Sequence, residues 1–344
     1  MANPISNRER VDMAQRLRRV TDNQIDELLA EQARLGKCLR SNPSILHALL
    51  TRRRKGVVVS PKNGMFASRD LWESLDVRQR HLFVARTIAD RCPDDLFCYV
   101  TAAFAYGLDF TITGDFGTDV KTVCISGKGG ANGCSSAGLR RFKLEADGAW
   151  TAGGLRVSSP EKTVFDCARG LAFPDGLAIA DSALRLGLLD PDSLRRLIDS
   201  SGNRKGIGKA RDVFEHMNGL AENGGESVLR ARMIELGYVE PKLQVTFDNP
   251  LEPTKPYRVD LLSIRTDGTM VAIELDGRRK YTDAEFMNGK GTIEVLLDER
   301  QREAALSSLG LEIMRIRWPD LLDSAMLSSI MNAYRIPTAR QLGH

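Results

Sequence analysis

The stretch Tyr257-Arg258-Val259-Asp260-Leu261-Leu262-Ser263-Ile264, a turn at Thr266-Asp267-Gly268, and then Met270-Val271-Ala272-Ile273-Glu274-Leu275-Asp276-Gly277 predicts two β-strands joined as a hairpin. Both runs are rich in Val, Ile and Leu, and the Asp-Gly pair suits the tight turn between them. Side chains alternate along a strand, so Glu274 and Asp276 share a face while Ile273 and Leu275 take the other. Asp260 on the neighbouring strand can join that face. Carboxylates gathered in this way repel one another and raise their own pKa values unless a cation sits among the oxygens. Mg²⁺ or Mn²⁺ is the expected occupant, because hard oxygen ligands and phosphate both suit such an ion. A metal held by carboxylates can activate water and neutralise charge in phosphodiester cleavage.

Working outward, Glu226 opens a helix carrying Val228, Leu229, Met233, Ile234 and Leu236, and Gly237 stops it. Leu243 to Phe247 reads as a strand. After the hairpin, an amphipathic helix from Asp298 to Ser308 carries Arg300 and Arg302, and a strand follows Gly310. Glu226 also suits a helix N-terminus for its charge alone, and it can pair with Arg230 one turn on.

Helix, strand, Asp-bearing hairpin, Glu-x-Asp strand, helix and strand resemble the PD-(D/E)xK nuclease superfamily. The closer likeness is to the branch related to very-short-patch repair endonucleases, carried by Gln244-Val245, Arg258-Val259-Asp260 and Ile273-Glu274-Leu275-Asp276-Gly277. The resemblance implies a restriction-endonuclease-like α/β/α domain over residues 219–344. In it Asp260, Glu274 and Asp276 are expected metal ligands, Glu226 a further acidic member and Gln244 an orienting residue. Asp276 stands where many superfamily members carry lysine, and Lys280 is the candidate substitute. Arg278 and Arg279 are candidate contacts to the DNA backbone; a solvated charged loop is the plain alternative.

Toward the N-terminus, Asp22 is expected to cap a helix bearing Ile25, Leu28 and Leu29. Ser41-Asn42-Pro43-Ser44 starts a second helix with Ile45, Leu46, Leu49 and Leu50, which runs out through Arg52-Arg53-Arg54-Lys55 to Gly56. Two strand-like pieces follow, Val57 to Ser60 and Met65 to Ala67, around the turn Pro61-Lys62-Asn63-Gly64. Helix, helix, hairpin is the order of a winged helix-turn-helix, expected over residues 1–73. The second helix of that motif enters the DNA major groove and the wing touches backbone. Arg52, Arg53, Arg54, Lys55 and Lys62 are therefore candidate contacts to double-stranded DNA, although a basic helix end also complements the helix dipole.

The middle zone, residues 74–218, has helical stretches at Val77 to Arg91, Thr101 to Tyr106, Pro160 to Arg169 and Gly176 to Leu186. Gly127-Lys128-Gly129-Gly130 lacks the order of a phosphate-binding loop and reads as a flexible hairpin loop. Ser201 to Lys209 reads as a flexible basic connection, and Ala221 to Gly225 as a weak boundary. The first two zones resemble AbiEi-type antitoxins, DNA-binding autorepressors of type IV toxin–antitoxin pairs. The likeness is carried by Leu49 to Phe66, by Thr101-Ala102-Ala103 with Gly107-Leu108, and by Val157 to Asp166. Thr101 and Tyr106 stand where that family carries Ser and His. The resemblance implies a cognate toxin protein as partner.

Composition sets outer limits on these readings. The 344 residues allow two or three domains at ~150 residues each. Hydrophobic content of 42% excludes disorder as the overall state, and a net charge of +4 assigns no nucleic-acid partner by itself. Six scattered cysteines and four histidines lack zinc-site spacing and read as reduced thiols of a cytoplasmic protein. No apolar run approaches the ~20 residues of a membrane helix, and the charged start reads as lacking a signal core. An α+β multidomain chain is expected: winged helix-turn-helix, α/β middle domain and nuclease-like domain. It is read either as a Mg²⁺-dependent endonuclease or as a repressor whose nuclease fold only binds or scaffolds. A third reading is an antitoxin that acts through protein contacts alone.

Overall fold

The computed structural model describes residues 21–109, 122–127, 134–135, 139–142, 150–249, 252, 254–276 and 292–342, with backbone alone at 134–135, 292–299 and 342. Arg278, Arg279 and Lys280, most of the Gly127 to Gly133 loop and the extension before Thr21 lie outside the described residues. The chain divides into two compact units, Met1–Gly107 with Thr118–Ser159, and Leu108–Gly117 with Pro160–His344. It is a mixed α/β protein with several sheets.

The first unit begins with helix α1 (Asp22–Arg34), whose N-cap is Thr21 rather than the expected Asp22. A capping box needs Gln or Glu three residues on, and Gln24 stands at that distance from Thr21. The Gln24 side chain accepts from Thr21 N–H at 2.9 Å. Had Asp22 been the cap, the apolar Ile25 would have filled that place. Strand β1 (Leu39–Arg40) leads to α2 (Leu46–Arg54), entered through a turn in which Asn42 Oδ1 accepts from Ser44 N–H at 2.9 Å and Ile45 N–H at 3.2 Å. The hairpin follows as β2 (Val58–Lys62) and β3 (Met65–Ser68), turning at Asn63-Gly64 with Gly64 at φ +73°. Pairing slips between Val59 and Lys62, where Pro61 has no N–H to offer the ladder. Ile25, Leu29, Leu39, Ile45, Leu49, Val58 and Phe66 form one core beneath these elements.

The unit continues with α3 (Arg69–Ser74) and α4 (Val77–Ala89), the latter capped by an Asp76–Gln79 box. Strand β4 (Leu96–Phe97) and helix α5 (Tyr99–Tyr106) precede β5 (Val123–Ser126), β6 (Cys134–Ser135), β7 (Leu139–Phe142), β8 (Trp150–Ala152) and β9 (Leu155–Val157). They make a six-stranded sheet ordered β6-β7-β5-β4-β9-β8. Thr101 ties α5 to that sheet: its hydroxyl lies 2.8 Å from His81 Nε2 and accepts from Cys124 N–H at 2.9 Å. Cys38, Cys92, Cys98, Cys124 and Cys167 are free thiols, and no helix among the described residues is long and apolar enough to cross a membrane.

The second unit opens with four helices, α6 (Pro160–Gly170), α7 (Phe173–Arg185), α8 (Pro191–Ser200) and α9 (Ile207–His216). The basic stretch Ser201 to Lys209 is no flexible connection. Gly206, at φ +81°, passes so close to the Arg169 carbonyl that a Cβ would collide with it. Arg169 Nη1 donates to Lys205 O at 2.8 Å, and Lys209 Nζ to Leu171 O at 3.1 Å. The loop is anchored by contacts between residues distant in sequence, which its composition did not reveal.

Helix α10 (Gly224–Glu235) then leads to a four-stranded sheet of β10 (Lys242–Phe247), β11 (Tyr257–Ile264), β12 (Met270–Asp276) and β13 (Leu311–Arg317), in that spatial order. β10, β11 and β12 pair antiparallel, and β13 runs parallel to β12 after the crossover helix α11 (Thr292–Ser308). α12 (Trp318–Leu322) and α13 (Ser324–Ala333) follow. One face of the sheet, through Leu261, Val271, Ile273, Met314 and Ile316, packs on Val228, Leu229 and Met233 of α10 and on Leu327 and Met331 of α13. The other, through Val259, Leu262, Ala272 and Leu311, packs on Leu306 of α11.

Candidate metal centre

The start of α10 is built around a single carboxylate. Asn223 caps the helix, accepting from Gly225 N–H at 2.9 Å and Glu226 N–H at 3.1 Å, and its Nδ2 donates back to Glu226 Oε1. Glu222 N–H donates to Glu226 Oε2 at 2.8 Å. Gly225 allows the helix to approach β12, since a Cβ there would meet Leu275 Cδ2 at 2.9 Å. Ala221 is fully buried, so the expected boundary at Ala221 to Gly225 is instead an ordered cap.

Across from this cap the sheet changes its alternation. Val259 and Leu261, two apart on β11, face different cores, as do Val245 and Leu243 opposite them. Between each pair sits one residue, Asp260 on β11 and Gln244 on β10. Gln244 has φ +52°, in the left-handed region that a side chain with a Cβ enters at a cost. From there its Nε2 donates to Glu226 Oε2 at 3.1 Å, and its Oε1 is buried with no hydrogen-bond partner among the described residues.

The result brings Glu222, Glu226 and Asp260 together, one oxygen of each lying within 4.8 Å of the others. Burial pushes Glu226 up to about 7, and repulsion from Asp260 and Glu222 adds to it against the donations from Glu222 N–H and Gln244. Glu222 lies near the surface (side chain 47% exposed) and pairs with Arg258. The three carboxylates, with an unused amide oxygen beside them, are a donor set suited to a hard divalent cation that displaces that arginine. Glu222 was not singled out from the sequence. The signal available was its place just before the Asn-Gly-Gly-Glu cap, and only the turn brings it back to Glu226.

Glu274 is held elsewhere. It is buried, and Arg302 of α11 donates Nη1 to its Oε1 at 2.9 Å while Arg315 Nε lies 3.6 Å from its Oε2. Asp276 lies two residues on, in register with Arg317. Among the described residues neither joins the group around Glu226. Arg302 was named from the sequence only as a charge on its helix, and Arg315 was not singled out; their pairing with Glu274 comes from the fold. Nor does Arg230 pair with Glu226. It is fully buried, bonded to Asp181 at 2.8 Å, to Glu240 and to the His216 carbonyl at 2.7 Å.

In the first unit, Arg52 is a structural residue: it turns back to Asp26 and to Asp22, whose carbonyl and carboxylate accept at 2.8 and 3.1 Å. Arg53, Arg54 and Lys55 are exposed at the end of α2, and Lys62 is half-buried at the hairpin tip.

Residues 96–216 match the AbiEi antitoxin C-terminal domain family. That span runs from β4 to the end of α9 and includes Thr101, Tyr106 and the Pro160 to Asp166 segment. Two uncharacterized proteins of Mycobacterium tuberculosis, from strains CDC 1551 / Oshkosh and H37Rv, are each 33% identical over 91 residues, 26% of this chain. The chain spans about a third (34%) of the length of these curated relatives. No solved structure matches it.

Proposed function

We propose that this chain is a cytoplasmic DNA-binding protein of AbiEi type that carries a divalent-metal site for phosphodiester hydrolysis. In this reading residues 1–73 form a winged helix-turn-helix, 74–218 an AbiEi-like middle domain and 219–344 a PD-(D/E)xK nuclease-like domain. The carrying observation is the convergence of Glu222, Glu226 and Asp260 beside Gln244. Glu222, Glu226 and Asp260 would hold Mg²⁺ or Mn²⁺, which would supply charge neutralisation and a more acidic water. Glu226, which burial pushes up to about 7 in the metal-free protein, is the ligand whose proton a bound cation would displace. Gln244 orients its Oε2. Arg53, Arg54 and Lys55 supply the exposed charge for a DNA backbone.

Incubation of supercoiled plasmid with Mg²⁺ or Mn²⁺ tests the reading. Cleavage by the parent, lost in both Glu226→Gln and Asp260→Asn, is expected. Binding to a duplex is expected to weaken in Arg53→Ala/Arg54→Ala, with the salt dependence reduced by roughly one counterion per lost contact.

One observation favours a second reading, a non-catalytic antitoxin or repressor with a cognate toxin as partner. Glu274, expected to bind metal, is paired with Arg302 and Arg315. Duplex binding without cleavage under either metal, unchanged by Glu226→Gln, would establish it over the first.

A further inference from the structure

A cavity of about 440 Å³ lies in the first unit, against strand β2 of the hairpin. Trp72, Val77, Val84 and Val123 give it an apolar wall, and Lys62 and Arg80 give it positive charge. Small-molecule sites have this size and this make-up, a hydrophobic body with few polar groups that fix orientation.

Arg80 is the telling residue. Its Nε donates to Trp72 O at 2.7 Å and its Nη2 to Glu73 O at 2.9 Å, both backbone carbonyls. These bonds hold the guanidinium still, 5.8 Å from the centre of the Trp72 ring, and leave its charge without a carboxylate partner among the described residues. A fixed cation beside an aromatic wall complements a planar anion. Two cations line the cavity and no acidic side chain does among the described residues.

We propose that this cavity binds an aromatic monocarboxylate, its ring against Trp72 and the valines and its carboxylate on Arg80. The occupant also rests on Pro61 and Lys62, which belong to β2, so it contacts the hairpin directly. A site there responds to a small molecule whether or not the hairpin touches DNA.

Calorimetric titration of the full chain with 2-naphthoate, indole-3-acetate and salicylate is the test, with neutral 2-naphthamide as control. At least one acid is expected to bind at least tenfold more tightly than the amide. Arg80→Gln should lose at least tenfold in affinity, and Arg80→Lys should recover part of it. Val77→Trp, at an exposed position on the rim, should block binding while leaving the circular dichroism spectrum and melting temperature near the parent's. Hydrogen exchange across residues 58–68 should slow when the acid is bound. Failure of all three acids to bind at millimolar concentration overturns the proposal, as does equal binding by the parent, Arg80→Gln and Val77→Trp. The readouts need neither DNA nor metal, so they stand apart from the fate of the nuclease reading.

Discussion

Glu226 is an acid whose ordinary behaviour is reversed by where it sits. Its carboxyl is pushed from 4.5 up to about 7, first by burial and then by Asp260 and Glu222. Between those two values the folded, metal-free protein keeps a proton that the unfolded chain has already released. Stability therefore falls as pH rises from about 4.5 to 7, and the full penalty is present above that window. Melting of the metal-free protein followed from pH 5 to pH 8 should show this decline, and Glu226→Gln should flatten it. Parallel curves for the two proteins would exclude Glu226 as the source. Mg²⁺ affinity should rise over the same interval, since the cation competes with that proton. Gln244 carries the complementary strain. Glycine adopts φ +52° freely, whereas alanine does not. Gln244→Gly should therefore melt above Gln244→Ala by about 1 kcal/mol in denaturant titrations, although both lose the amide that holds Glu226. If alanine is the more stable, the backbone at this position is not strained.

At the scale of elements, the site depends on how strands and helix ends meet. The hydrophobic alternation of β11 assigns Val259 and Leu261 to one face, yet they serve two cores. Asp260, between them, joins Glu226 at the α10 cap, while Arg302 of α11 holds Glu274 on the neighbouring strand. A similar dependence on close backbone approach governs the entry to α9. Gly206→Ala adds a Cβ both at φ +81° and against the Arg169 carbonyl. It should cost more than the ~1 kcal/mol of a strained left-handed residue alone, measured by urea denaturation. A loss below that figure would mean the loop moves aside without penalty.

For the second unit as a whole, one buried ion pair links the antitoxin-type helices to helix α10, which precedes the four-stranded sheet. Arg230 of α10 meets Asp181 of α7, both fully buried, and Asp181 also accepts from Asn218 N–H at 2.8 Å. Burial pushes the Asp181 carboxyl up against the opposing pull of Arg230. Removing one partner strands the other charge in the interior. Arg230→Met should cost about 3–5 kcal/mol, and Arg230→Met with Asp181→Leu should recover much of it. A single variant as stable as the parent would show that water reaches the pair.

Local order in the chain did not show α3, α8, α9, α12 or α13. It was enough to place α1, α2, α4 to α7, α10 and part of α11, together with the Asn63-Gly64 and Asp267-Gly268 hairpins, and to single out Glu226 and Asp260. Each depends on neighbours a few residues away: apolar spacing, a capping side chain or a turn pair. Tertiary structure decided which carboxylates meet. Glu222 joins the site because the α10 cap folds back on itself, and Glu274 is neutralised because Arg302 and Arg315 arrive from other elements. It also decided that Arg52 belongs to Asp22 and Asp26 and that Arg230 belongs to Asp181. A long charged side chain reaches several ångströms in any direction. Its partner is therefore set by the packing around it, which sequence spacing alone does not encode.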